Sequence, residues 1–254
     1  IELDVKSLPL LLVDKRPVFA KEDLKLVGQR STELSGRLES IYDESVKLNR
    51  DYWNTMVINT RHTISKQKCF NRVGLTRIFK KDGLMGRWFQ KGKMSYQQLH
   101  GEDRKTLLLN DEQVTEIDYS AMHPHILYVW EGKQCPDDFY ERIMKKCGCD
   151  KFVAKNVTLI AINASSLASL VAAINLNKGE TEKANRSKAT SDLVLYSELK
   201  KQHLKPKAVV EAIKAAHPAI ANYIYGASAN KLMLAESDIM TSVLLKLMTL
   251  GIPA

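Results

Sequence analysis

Between Cys69 and Leu109 five glycines (Gly74, Gly83, Gly86, Gly92 and Gly101) cut the chain into extended pieces too short for helices. On both sides of this stretch, apolar residues return every three or four positions. Residues 21–60 carry Leu24, Leu26, Val27, Leu34, Leu38, Ile41, Tyr42, Val46 and Leu48 in that rhythm and read as helix. Further helical patterns cover Phe139 to Lys146, about Lys151 to Ile174 with Asp150 as its cap, and roughly 193–202, 206–226 and 229–250. Residues 177–192 are polar and free of aromatics, which reads as a loop. Val114 to Tyr119 is the best strand pattern, entered through an Asn110-Asp111 turn. The expected class is α+β, mostly helical, with a small antiparallel sheet near the middle.

Charge sharpens the picture. The chain holds 38 Lys and Arg against 29 Asp and Glu, a net +9. Between Arg61 and Lys105 stand twelve basic residues and three acidic ones, so this one stretch contains the whole excess. A concentrated positive field suits a polyanion, because each neutralised phosphate releases condensed counterions. Phe70, Phe79, Trp88, Phe89 and Tyr96 interleave with the charges and offer rings for stacking; the alternative is a solvated basic face over core aromatics. No apolar run approaches the ~20 residues that cross a bilayer, and no basic segment precedes Leu8–Val13 to make a signal peptide. Four cysteines do not make a disulfide scaffold in 254 residues, and Cys135, Cys147 and Cys149 lack zinc-site spacing, so they read as free thiols. His123 and His125 flank Pro124 and would not share a helix face. No phosphate loop, nucleophile elbow or His-Glu-x-x-His is present, which disfavours an ATPase, a serine hydrolase and a zinc protease. A cytoplasmic protein is expected.

Glu116 and Asp118 fall at i and i+2 of the expected strand, on one face, with Ile117 and Tyr119 turned to a core. An acid at the end of a half-buried strand needs a hydrogen bond, an arginine or a cation. Mg²⁺ is one answer, since it takes one or two carboxylates plus substrate phosphates; pairing with a nearby Arg is the other.

Asp118-Tyr119-Ser120-Ala121-Met122-His123-Pro124 resembles the first palm motif of family A DNA polymerases, an Asp-Tyr-Ser followed by a short helix. Gly86-Arg87 stands where that family has a Gly-Arg turn, Tyr96-Gln97-Gln98-Leu99 resembles its Leu-Gln-Asn segment, and Arg104 falls near its arginine before the strand. Lys151, Lys155, Leu159 and Asn163 recur every fourth residue, followed by Ala164-Ser165-Ser166-Leu167-Ala168, and resemble the nucleotide-binding fingers helix. His217-Pro218-Ala219-Ile220 looks like the family's Tyr-Pro-Gly-Val turn, and Glu236-Ser237-Asp238-Ile239-Met240 like its palm helix. Together these segments span about residues 86–250.

The resemblance implies a right-hand polymerase fold. Residues 1–62 form a helical, thumb-like region and 63–130 the first part of the palm. Residues 131–226 form helical fingers, and 227–254 the palm helix. It implies a template-directed DNA polymerase acting on primer–template DNA, with RNA as the alternative, and on nucleoside triphosphates. Two Mg²⁺ ions would serve it, with Mn²⁺ as a substitute. Asp118 and the Tyr119 carbonyl would hold metal. Tyr119, Ser120, His123, Lys151, Lys155, Leu159 and Asn163 would line the nucleotide, and Lys155 would act with Asp118 in catalysis. Arg77, Arg87, Gln98 and Arg104 would grip nucleic acid. A four-residue step along a helix drifts only ~40°, so Lys151 to Asn163 form a stripe about 18 Å long that can meet phosphates at one end and a base at the other. Lysines in a first turn oppose the helix dipole, and a bound anion gives a reason for them.

Departures mark alternatives. His123 replaces a Glu that disfavours a 2′-hydroxyl, which leaves a primase-like, RNA-synthesising enzyme open. Leu159 and Asn163 replace an aromatic and a Tyr. The family's second Asp arrives on a His-Asp hairpin after the palm helix, so this chain is expected to be part of a longer protein, with Glu116 or Asp238 as stand-in ligands. Loss of that acid would leave a nucleic-acid-binding homologue without catalysis.

Overall fold

The computed structural model describes residues 11–13, 15–18, 23–24, 36–55, 58–60, 74–90, 96–99, 104–184 and 191–252. The chain forms two units, Ile1–Asp118 with Met233–Ala254, and Tyr119–Leu232.

In the first unit the described elements are β1 (Leu11–Val13), β2 (Arg16–Val18), α1 (Leu38–Thr55), β3 (Ile58–Thr60), β4 (Leu75–Phe79), β5 (Met85–Gln90), β6 (Leu107–Leu109) and β7 (Glu112–Gln113). They make two small sheets, ordered β2-β1-β4-β5 and β3-β6-β7. The first is mixed, because β1 pairs parallel to β4 while the other neighbours are antiparallel. A parallel pair needs a crossover, and α1 lies in it. This corrects the single antiparallel sheet and the continuous helix expected over residues 21–60. The helix occupies Leu38–Thr55, and Ile58–Thr60 pairs with β6; residues 25–35 lie outside the described residues. The N-terminal region expected to be helical also contributes β1 and β2. The α+β class, with helix predominant, stands.

Strand alternation sets this unit's core. Leu11, Val13, Val18 and Phe79 turn to one side and bury against Leu38, Ile41 and Tyr42, which share a face of α1 at three- and four-residue spacing. A second cluster joins Leu48, Leu75 and Leu107 to Trp88, Leu109, Leu244 and Met248. Asn49 pins α1 to β4: its Nδ2 donates to the Leu75 carbonyl at 2.9 Å, and the Leu75 N–H donates to its Oδ1 at 2.6 Å. Such a buried amide would be costly unpaired, and here both ends are satisfied. The Asn110-Asp111 turn has φ of 52° and 65° between the paired Leu109 and Glu112, the two-residue geometry that suits strand twist.

The second unit is helical among its described residues: α2 (Met122–Trp130), α3 (Phe139–Cys147), α4 (Lys151–Asn163), α5 (Leu167–Ala184), α6 (Ser191–Lys201), α7 (Pro206–Ala216), a 3₁₀ turn (Pro218–Tyr223) and the start of α8 (Ala229–Thr249). The apolar pattern expected as one helix from Lys151 to Ile174 is two. Ala164 turns extended, with ψ 155°, and Ser166 and Ser169 exchange side-chain-to-backbone hydrogen bonds of 3.1 and 3.0 Å that start α5. Backbone N–H groups of Tyr225, Ser228 and Ala227 donate to the carbonyls of Ala161, Ile162 and Ala164, satisfying the end of α4. Residues 177–184 and 191–192, expected as loop, are helical, while 185–190 lie outside the described residues. Among the described residues no helix is long and apolar enough to cross a membrane.

Candidate nucleotide and nucleic-acid interface

The α4 helix starts as the sequence reading expects. Asp150 caps it, its Oδ1 accepting from the Val153 N–H at 2.8 Å, while Gln202 grips the same residue through its Oδ2 at 2.7 Å and its N–H at 3.0 Å. Val153, Ala154, Val157, Thr158, Ala161 and Ile162 are buried. The opposite side presents Lys151, Lys155 and Leu159 to solvent, with Asn163 half-buried at the end. Leu159 is 45% exposed on the face opposite the packed one. The four candidates therefore share one outward stripe. Lys151 Nζ lies 3.0 Å from Glu141 Oε1, and the Glu141 carboxyl sits below its usual range, first through a backbone hydrogen bond and then through this lysine. Lys155 has no ion-pair partner among the described residues, and the buried Asn163 Oδ1 accepts no hydrogen bond there.

The stretch carrying Asp118 departs from expectation. The strand ends at Gln113, and residues 114–119 have no regular structure. The partner runs out: in the register Leu108↔Gln113, residues beyond Val114 would face the turn at Lys105–Thr106 that precedes β6. Ile117 is accordingly 87% exposed and Tyr119 exposed as well, so neither enters a core. Asp118 and Ser120 are also exposed. Burial therefore does not compel Asp118 to find a partner, and among the described residues it has no ion pair. Glu116 does pair, with Arg104 Nη1 at 3.0 Å. Ala121, at φ 52°, turns the chain into the short helix α2, where the Ala121 carbonyl accepts the His125 N–H at 2.9 Å. His123 and Pro124 lie in its first turn, His123 half-buried and Pro124 buried.

The basic stretch divides sharply. Residues 61–73 and 91–95 lie outside the described residues. Arg77, expected to contact nucleic acid, is instead 1% exposed. Its Nε donates to the Gly86 carbonyl at 2.8 Å, its Nη2 pairs with Asp238, and its guanidinium sits 5.1 Å from the Phe79 ring and 5.7 Å from the Trp88 ring. Bonded to the Gly86 carbonyl and to Asp238, and with its charge enclosed, it holds the unit together rather than facing a phosphate. Asp238 also accepts from Arg37 at 3.1 Å, and Arg87 pairs with Glu236 at 2.9 Å. Asp238 and Glu116 are thus both engaged by arginines. Gln98 ends a 3₁₀ turn, Tyr96–Gln98; its side chain lies outside the described residues. Among the described residues no three of His, Cys, Asp and Glu gather in a group able to hold a metal ion.

Gly86 explains the local geometry. It has φ +64°, and a Cβ there would lie 2.7 Å from Leu234 Cδ1 and 3.1 Å from Phe79 Cε1. Only glycine fits this bulge, which aims its carbonyl at Arg77 and at the Ser237 hydroxyl.

In the interior of the second unit, His217, read from the sequence only as part of a turn, is a packed and hydrogen-bonded group. His217 is buried, its ring stacked on Phe139 with centroids 3.8 Å apart. The Phe139 carbonyl, 2.9 Å from Nε2, can only accept, so Nε2 carries the proton and Nδ1 accepts from the Tyr128 hydroxyl at 2.9 Å. Burial pushes this imidazole's pKa below its ordinary value. Cys135, Cys147 and Cys149 are free thiols. Burial raises Cys135 to about 11, and burial followed by the Cys147 side chain raises Cys149 to about 12, so both stay protonated at neutral pH.

The candidate residues are spread over both units, which meet in sequence at Asp118–Tyr119. Comparison of the chain with family models, with curated proteins and with solved structures returns no match.

Proposed function

We propose that this chain is the palm-and-fingers part of a template-directed nucleotidyltransferase, joining a primer 3′-oxygen to the α-phosphate of a nucleoside triphosphate with release of pyrophosphate. The observation that carries the reading is the outward stripe of α4: two lysines, one of them without an ion pair among the described residues, then an exposed leucine, with the half-buried Asn163 at the end. The order suits a triphosphate and its base: Lys155 and Lys151 neutralise phosphate oxygens, Leu159 presses on the sugar or base, and Asn163 lies at the base end of the stripe. Asp118 fits Mg²⁺, since it is an exposed hard-oxygen donor, and the Tyr119 carbonyl is a second one. Asp118 and the Tyr119 carbonyl would hold the ion, which would supply positive charge to a triphosphate. Arg87 and Arg104 would meet the primer–template by exchanging Glu236 and Glu116 for its phosphates, with Gln98 beside them in sequence. A short helix directly after Asp118-Tyr119-Ser120 supports the same reading.

One observation favours a second reading, a polymerase-like protein that binds nucleic acid without catalysis. Of the acids weighed as metal ligands, Glu116 and Asp238 are committed to arginines, leaving Asp118 alone. Primer extension on a primed DNA template, with deoxy- and ribonucleoside triphosphates in parallel, separates the two. Extension that Asp118→Ala abolishes supports the enzyme. Template binding without extension supports the binder, and neither result leaves both readings without ground.

A further inference from the structure

The parallel pairing of β1 with β4 sets two hairpin tips side by side at one end of the mixed sheet. One tip carries Lys15 and the other Lys80 and Lys81, all three exposed. Between them lies a groove of about 860 Å³ lined by Leu12, Lys15, Ile78, Phe79, Lys80, Lys81 and Asp82. Leu12 and Ile78 are directly paired across the two strands and only half-buried, whereas Leu11, Val13 and Phe79 turn to the core. The groove thus has an aliphatic floor under a cationic rim. Among the described lining residues the one acid, Asp82, accepts the Leu84 N–H at 3.0 Å within its own turn. That turn is further closed by Gly83 N–H to the Lys80 carbonyl at 2.9 Å and Lys80 N–H to the Leu84 carbonyl at 3.0 Å.

We propose that this groove docks an acidic, aliphatic peptide segment of a partner protein. Charge complementarity selects an anionic occupant. The floor selects its kind: single-stranded nucleic acid binds by stacking bases on rings, and the one ring among the described lining residues, Phe79, is 1% exposed. Leucine or isoleucine side chains on an acidic chain find aliphatic contact and lysines together.

The test is fluorescence anisotropy with a labelled peptide alternating Glu with Leu, read on the whole chain. Binding is expected to weaken at least ~10-fold in Lys15→Glu/Lys80→Glu/Lys81→Glu. It is also expected to weaken when Ser replaces every Leu of the peptide, and to fall with added salt. The single variant Lys81→Glu, which touches one exposed side chain, is expected to show part of the loss and guards against misfolding of the triple variant. Unchanged affinity in both variants overturns the proposal. So does failure of the peptide to bind, or its displacement by oligothymidylate at a lower concentration than by unlabelled peptide.

Discussion

Two positively charged places in this molecule use their charge in opposite ways. In the first unit Arg77 is enclosed beside Phe79 and Trp88 and bonded to the Gly86 carbonyl and Asp238. On α4 in the second unit, Lys155 projects to solvent from a helix whose far side carries the packing. A count of basic residues ranks the Arg61–Lys105 stretch far above α4. What can bind an anion is the charge that the fold leaves unspent: Lys155 on α4, and Lys80 and Lys81 at the tip between β4 and β5, but not Arg77.

Breaking the enclosed charge gives the largest effect. Asp238→Ala leaves Arg77 buried opposite nothing and is expected to lower stability by about 3 kcal/mol, read by urea unfolding; replacing both residues with aliphatics should recover much of that. If Asp238→Ala unfolds like the parent, Arg77 is not enclosed as described. Gly86→Ala comes next, because it adds a left-handed strain to a 2.7 Å contact with Leu234. A loss of about 1–3 kcal/mol is expected, with amide exchange rising along β4 and β5.

The second unit has its own buried polar group. Tyr128→Phe removes the hydroxyl donor to His217 and should cost about 1–2 kcal/mol. The His217 imidazole titrates below its ordinary 6.5 because it is buried, so between the two values the unfolded chain binds the more protons. Its contribution is therefore complete above about pH 6.5 and declines as the pH falls through that window. Thermal unfolding from pH 7.5 to 5 should show this decline, and His217→Gln should flatten it. The smallest effect on stability belongs to Lys155→Ala, within about 0.5 kcal/mol, since the side chain touches nothing it would leave stranded.

Much of this was legible in the sequence where the determinants are local. Asp150 announces the start of α4, and Asn110-Asp111 its turn, through side chains that act on their own backbone. Arg77 was legible in part: it alternates with Leu75 and Phe79, so strand periodicity alone puts it on their inward face. Other features depend on partners distant in sequence. Residues 114–119 have a strand's composition but no strand to pair with. The apolar rhythm runs on through Ala164–Ser166, and the break there is stabilised by N–H groups from residues 225–228. The mixed sheet rests on pairing Leu12 with Ile78, across 66 positions that no periodicity links.

The most direct test of the α4 reading is equilibrium binding of a magnesium–nucleoside triphosphate to the chain and to Lys155→Ala, whose fold should be undisturbed. The reading predicts affinity about tenfold weaker in the variant, the scale of one lost charge-assisted phosphate contact. Equal affinity in the two proteins would contradict it.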